Sequence, residues 1–284
     1  MRIPDRTSRV WIDGTSVSAD QATVSIDDPG LQAGLGLFET LALRRGRVFD
    51  LLPHLERMQT GAVLLGIELP PRQRLLDTVE QAAAQLSETP FAWLKIMALR
   101  SGRWLVFTGG MNAGEEGREV SAIVLPWRRD SRDLLVAVKS TCYAGHQLGL
   151  ELARRRGADE GLWLNSRGHL AEGCTSNLFV VRQRRLFTPS LREGILPGVV
   201  RSLAIEVSRE LGIPVHETRV RLKRLRVADE AFLTSSLSAV RPLVSVDGRA
   251  VGRGVPGPVT RRIASRLQSM RQGDSDGGKL SDTT

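Results

Sequence analysis

Cysteine, tyrosine and lysine are all scarce in this chain of 284 residues, which has two cysteines, one tyrosine and four lysines. Cys142 and Cys174 cannot build a disulfide framework and lack the close Cys or His partners of a structural zinc site, so both read as free thiols of a reducing compartment. No apolar run approaches the length of a bilayer span, and Met1 to Arg6 does not read as a signal peptide, so the expected location is cytoplasmic, with no membrane partner. Internal repeats are not evident, which excludes solenoids and propellers. The patterns Gly-x-x-x-x-Gly-Lys-Ser/Thr, His-Glu-x-x-His and Gly-x-Ser-x-Gly do not occur, and Gly34-Leu35-Gly36 meets Glu39 where a dinucleotide fingerprint needs its third glycine. His54, His146, His169 and His216 stand far apart without ligand spacing, so no metal site is expected.

What is present is the balance of a soluble globular protein, 41% hydrophobic and 25% charged, with length enough for two domains. The net charge is +9. Almost all the basic residues are arginines spread over the whole length, with no basic run interleaved with aromatics, so nucleic acid is not expected as a partner. The charge suits a small anionic substrate.

Residues 9–13 followed by Gly14 read as a strand and turn, and 37–43 with 47–49 as a hairpin through Arg45-Gly46. Leu55, Met58, Ala62 and Leu65 recur at helical steps over 52–65, closed by Gly66, and a second helix fits 72–86. Strands are expected at 92–100, 104–108 and 120–126, with a Gly-rich loop at 109–117. The polar segment 127–133 reads as a linker between an N-terminal α/β domain, 1–126, and a C-terminal domain, 134–272. There, strands at 134–138, 161–165, 169–171, 177–181, 214–219 and 230–234 alternate with helices at 145–156, 198–211 and 258–271. The polar tail 273–284 is expected to be mobile.

With only four lysines, amine chemistry is easy to place. Lys139 follows the alternating run Leu134 to Val138 and shares a face with Leu135 and Ala137. If that face is buried, the ammonium loses hydration, its pKa falls from ~10.4, and the neutral amine can attack carbonyls. The competing reading is a strand-end lysine reaching solvent. Three features suit an anion. Leu196-Pro197-Gly198 opens a helix whose first N–H groups, at Val199 and Val200, could hold a phosphate. Ser235 and Ser236 end a strand with hydroxyls at one turn, and Arg57 offers a guanidinium fork. Each also has an ordinary structural explanation, as a routine helix start, a turn or a solvated arginine. Glu172, in a loop of small residues, needs a cation or a heterocyclic nitrogen that it can keep protonated. An amine, a carboxylate and a phosphate cup are the parts that pyridoxal phosphate requires.

The order of motifs resembles the fold-type IV pyridoxal-phosphate enzymes, or class IV aminotransferases. They include branched-chain and D-amino-acid aminotransferases and aminodeoxychorismate lyases. The resemblance covers roughly residues 9 to 265. It rests on Gly36-Leu-Phe-Glu-Thr40, His54-Leu-Glu-Arg57, Lys139, Gly157-Ala-Asp-Glu160, Glu172-Gly-Cys-Thr-Ser-Asn-Leu-Phe179, Thr188-Pro189, Leu196-Pro-Gly198 with Arg201, and Ala228-Asp-Glu230. It implies a two-domain α/β (α+β) architecture, a small N-terminal and a larger C-terminal domain with the cofactor between them, working as a homodimer whose active site lies near the interface. It implies that Lys139 forms the Schiff base with pyridoxal phosphate and that Glu172 faces the pyridine nitrogen. Arg57, Gly198, Val199, Val200, Ser235 and Ser236 would surround the phosphate. Tyr143 would stand near the phenolic oxygen, with a plain core tyrosine as the competing reading.

Asp27-Asp28-Pro29-Gly30 replaces the family's usual Asp-Arg-Gly, and Leu35 stands where an aspartate is common. Both departures bear on the substrate side. The chain length, the stretch Lys139 to Tyr143 and Phe232-Leu-Thr-Ser-Ser-Leu237 look most like lyase-type members. The expected reaction is therefore release of pyruvate and 4-aminobenzoate from 4-amino-4-deoxychorismate, for folate synthesis. The alternative is a branched-chain or D-amino-acid aminotransferase using 2-oxoglutarate or pyruvate. Phe38, Arg100 and Arg241 are the candidate substrate residues, the two arginines for its carboxylates.

Overall fold

The computed structural model describes residues 9–111, 114 and 117–273. Met1 to Arg6, part of the 109–117 loop and the expected mobile tail beyond Gly273 lie outside the described residues. Two sheets organise the rest. The first holds β1 (Arg9–Ile12), β2 (Thr15–Ser18), β3 (Gly36–Arg44), β4 (Arg47–Val48), β5 (Ala92–Leu99) and β6 (Trp104–Gly110), in the order β2-β1-β6-β5-β3-β4. A short helix α1 (Pro29–Gln32) precedes β3, while α2 (Leu51–Leu65) and α3 (Arg72–Ala84) cover one face of the sheet. The helices form because Leu55, Met58, Ala62, Leu75, Val79 and Ala82 make apolar stripes, and these pack on Leu41, Leu43, Leu94 and Ile96. Gly66 ends α2 in the left-handed conformation that a Cβ disfavours.

The second sheet contains β7 (Val120–Arg129), β8 (Glu160–Asn165), β9 (His169–Gly173), β10 (Asn177–Arg182), β11 (Arg185–Pro189), β12 (Val215–Thr218), β13 (Val220–Arg221), β14 (Glu230–Ser235), β15 (Ala239–Val246) and β16 (Arg249–Ala250). Its order is β12-β11-β10-β14-β15-β7-β8-β9-β13, with β16 on β15. Strands β9 and β13 at one end approach β10 and β11 near the other, so the sheet curls toward a barrel. Helix α4 (Ala144–Arg155) packs through Leu150 and Ala153 against Leu125 and Trp163. Helices α5 (Val199–Glu210) and α7 (Pro258–Gly273) bury Val200, Ala204, Ile263 and Leu267 against Phe179 and Phe232, while α6 (Leu222–Arg226) seals a further cluster with Leu225. The architecture is thus the expected two-part α/β one. No helix among the described residues is long and apolar enough to cross a membrane.

Two local expectations are corrected. Residues 120–129 form one strand of the second sheet, so neither the assignment of 120–126 to the N-terminal part nor that of 127–129 to a linker matches the strand pairing. Residues 134–138 are not a strand: Leu134–Ala137 is a 3-10 turn, because the Asp133 carboxylate accepts a hydrogen bond from the Leu135 N–H and starts a helical turn. Lys139 therefore shares no strand face with Leu135 and Ala137. It is positioned by β3: its carbonyl accepts from the Phe38 N–H at 2.9 Å, and Leu37 and Ser140 form an isolated bridge.

Candidate active site

A cavity of about 1130 Å³ opens between the two sheets. Phe38, Arg57, Lys139, Tyr143, Glu172, Gly198, Val199, Val200, Ser235, Ser236 and Arg241 all line it, drawn together from β3, α2, the 139–143 segment, β9, the start of α5 and the β14 to β15 connection. Arg100 does not. It sits exposed in the turn after β5 and does not line the cavity of the single chain.

Lys139 is half-buried and lines the cavity. Its Nζ lies 4.6 Å from the Phe38 ring centre and 5.5 Å from that of Tyr143. Among the described residues it has no hydrogen bond or ion pair. Burial, aided by the positive charge of Arg57, lowers its pKa to about 8. The Tyr143 hydroxyl donates to the carbonyl of Cys174 at 2.9 Å, its ring meets Phe38 edge-on, and burial raises its pKa.

Glu172 is buried, and both oxygens are fixed. Arg129 donates to Oε1 at 2.6 Å, while Asn177 and the Leu196 N–H donate to Oε2 at 3.1 and 2.9 Å. Burial raises its pKa to about 7 against the opposing pull of Arg129. A carboxylate with that proton affinity, held rigid, suits an aromatic nitrogen base that shares a proton with it.

Arg57 is more constrained than its sequence suggests. Its fork is engaged by Glu39, with Nε at 2.8 Å from Oε1 and Nη2 at 2.5 Å from Oε2, and Nη1 donates to the Pro197 carbonyl at 3.0 Å. Only its remaining N–H donors are available to a ligand. The Glu39 carboxylate also meets His54 Nδ1 at 2.6 Å, and His54 Nε2 lies 3.0 Å from Ser236 Oγ. Burial works against the charge on Glu39, but Arg57 and His54 outweigh it and hold its pKa at about 2. One carboxylate thus positions both Arg57 and, through His54, Ser236.

Beside these, among the described residues the N–H groups at the start of α5 have no capping side chain, and the buried Thr234 hydroxyl, which also lines the cavity, has no hydrogen-bond partner. A partnerless amine, an anchored carboxylate and a set of free N–H and O–H donors match, in turn, an aldehyde, a pyridine nitrogen and a phosphate. The residues present therefore fit pyridoxal phosphate.

Sequence reasoning missed Lys95, Arg129, Asn177 and Thr234. Lys95 was the findable one, as one of four lysines. It lines the cavity with its Nζ 4.5 Å from the Phe38 ring, burial lowers its pKa, and it has only ring contacts among the described residues. Arg241 lies 3.6 Å from the buried Glu160, whose other contacts are N–H and hydroxyl donors of the 173–176 loop and Gly161. The unusual Asp28 is structural: it caps α1 through the Gly30 N–H and accepts from Ser101.

A cavity between two sheets, with this amine and this carboxylate on its walls, defines a pyridoxal-phosphate-dependent enzyme of fold type IV. The family model described as amino-transferase class IV matches residues 36–246, and the chain belongs to that family. A putative branched-chain-amino-acid aminotransferase of Methanocaldococcus jannaschii is 29% identical over 280 residues, covering 93% of this chain and 96% of the relative. The branched-chain aminotransferase of Thermoproteus uzoniensis, solved with norvaline, superposes with a TM-score of 0.86 at 29% identity over 95% of this chain and 96% of that one. A putative 4-amino-4-deoxychorismate lyase from Legionella pneumophila superposes with a TM-score of 0.80 at 27% identity, over 88% and 97%. The similarity is thus not special to lyase-type members, and aminotransferases dominate it.

Proposed function

We propose that this chain is a pyridoxal-phosphate-dependent aminotransferase that moves the amino group of a branched-chain amino acid to a 2-oxo acid such as 2-oxoglutarate. The observation that carries the cofactor reading is Lys139, a desolvated amine without a polar partner among the described residues, in a cavity that also holds Glu172. The preference for a transaminase over the lyase first expected rests on the relatives.

In this reading Lys139 holds the cofactor aldehyde and Glu172 the pyridine nitrogen. The N–H groups of Val199 and Val200, the hydroxyls of Ser235 and Ser236, and the free donors of Arg57 hold the phosphate. When bound, the cofactor supplies an electron sink for the bonds at the substrate's amine-bearing carbon. The rest falls to the chain. Lys139 Nζ, with a pKa of about 8, would take a proton from that carbon, hold it, and release it to the cofactor carbon that had carried the aldehyde, so that the amino group stays behind for the 2-oxo acid. Arg129, Asn177 and Leu196 hold the Glu172 carboxylate in register, so that negative charge stays at the ring nitrogen. Phe38 and Tyr143 restrict water around Nζ. Lys95 and Arg241 are the cavity cations available to a substrate carboxylate. The assembly is a homodimer in this reading; Ile26, Leu31, Leu134 and Leu148 expose apolar surface on the single chain that a partner would cover.

The test is product analysis with L-valine, L-leucine and L-isoleucine, their D-enantiomers, and 4-amino-4-deoxychorismate, each with and without 2-oxoglutarate. Glutamate formed from the L-amino acids is the expected result. Faster turnover of the D-enantiomers reassigns the substrate. Release of 4-aminobenzoate and pyruvate with no 2-oxo acid present overturns the reading in favour of a lyase.

A further inference from the structure

Far along the sequence from the cleft residues of α2 and the 139–143 segment, a second concave site of about 620 Å³ is walled by Arg182, Arg185, Arg219, Arg221, Lys223 and Arg224, together with Phe187. The hairpin joining β10 to β11 sets Arg182 directly opposite Arg185, a pairing of like charges that destabilises a sheet. The chain turns there through Gln183 and Arg184 with φ of 50° and 58°, a conformation that costs energy in residues with a Cβ. Asp229 relieves Arg182 at 2.5 Å, and Glu193 lies 3.8 Å from Arg219. Arg185, Arg221, Lys223 and Arg224 have no carboxylate within ion-pair distance among the described residues. Four uncompensated cations therefore converge on one groove.

One of them is held in place. The Arg224 guanidinium lies 3.9 Å over the Phe187 ring, and that ring stacks on His216 with centroids 5.0 Å apart and planes 18° apart. An arginine stacked on an aromatic keeps its planar fork and has less side-chain freedom to lose when it binds. Concavity, like-charge convergence and an oriented fork together separate this groove from a solvated charged face. Arginine forks match phosphate oxygens, and the space suits a small molecule.

We propose that this groove binds a small ligand through a short polyphosphate chain, carried by a nucleoside triphosphate or by inorganic tripolyphosphate. The site is independent of the transamination reading, since it shares no residue with the cleft.

Calorimetric titration of the protein saturated with pyridoxal phosphate tests it, with ATP, AMP, inorganic tripolyphosphate and a single-stranded DNA oligonucleotide as probes. ATP or tripolyphosphate is expected to bind at one site per chain, about tenfold or more tighter than AMP, and more weakly as salt rises. The double variant Arg185→Ala/Arg221→Ala is expected to weaken that binding by about tenfold or more while leaving the circular dichroism and cofactor absorbance unchanged. Equal affinity for ATP and tripolyphosphate supports the inorganic chain as sufficient, and a preference for ATP supports a nucleotide. Equal binding of AMP and ATP, undiminished binding by the double variant, or tighter binding of the oligonucleotide would each overturn the proposal.

Discussion

Glu39→Gln is the perturbation with the most to say about how the cleft is held together. Glu39 is 1% exposed, its carboxylate carries the Arg57 fork, and it anchors the fully buried His54. Its pKa falls from the ordinary 4.5 to about 2 in the folded chain. At about 1.4 kcal/mol per unit, ionised Glu39 contributes on the order of 3 kcal/mol to folding. Because the folded pKa is depressed, that contribution is present above about pH 4.5 and is lost as the pH falls toward about 2. Removing one partner from a buried ion pair costs a similar amount, roughly 3–5 kcal/mol, since the Arg57 guanidinium is left uncompensated. Urea unfolding of the wild type and Glu39→Gln, followed at pH 7 and in steps downward, is expected to show a deficit of about 3 kcal/mol that narrows below pH 4.5. A deficit under about 1 kcal/mol, or one that does not change with pH, would refute the reasoning.

Other predictions concern the cleft itself. In Gly198→Ala the new Cβ would fall within 1.9 Å of Asn177 Oδ1. It should therefore dislodge the amide that holds Glu172 and raise the Kd for pyridoxal phosphate by about tenfold or more, measured by absorbance titration. Borohydride trapping with pyridoxal phosphate is expected to label Lys139 in preference to the exposed Lys223. Its pH dependence should centre near about 8, because the buried amine is deprotonated there, and labelling of Lys223 alone would remove the basis of the cofactor reading. Arg129→Met should leave Glu172 without its closest cation and push its pKa above about 7, detectable as a higher pH for the cofactor's spectral transition; an unchanged transition would show that Arg129 does not support Glu172. Lys95→Met should raise KM for the amino acid with a smaller change in kcat, and an unchanged KM would remove Lys95 from substrate binding.

Most element positions were legible because they rest on local patterns. The helical stripe Leu55, Met58, Ala62 and the strand runs of β5, β10 and β14 declare themselves over a few residues. Strand β15 was not read at all, and 134–138 was read as a strand; there a single cap, Asp133, outweighed an alternating pattern. At the site, the scarcity of lysine singled out position 139, and the short motifs placed Glu172, Arg57 and the start of α5 in one cavity. Arg100 looked equivalent to Arg241, yet only one of them faces that space.

From sequence alone came the candidate groups, an amine at 139, a carboxylate at 172 and a helix start at 199 suited to an anion, because each is a property of a residue and its near neighbours. Tertiary structure decided their working state. Burial of Lys139 comes from β3, about a hundred residues away in the chain, and the orientation of Arg57 and Ser236 comes from Glu39 and His54 across two sheets. Desolvation and ion pairing depend on which distant groups share a volume, and such contacts leave no trace in local spacing.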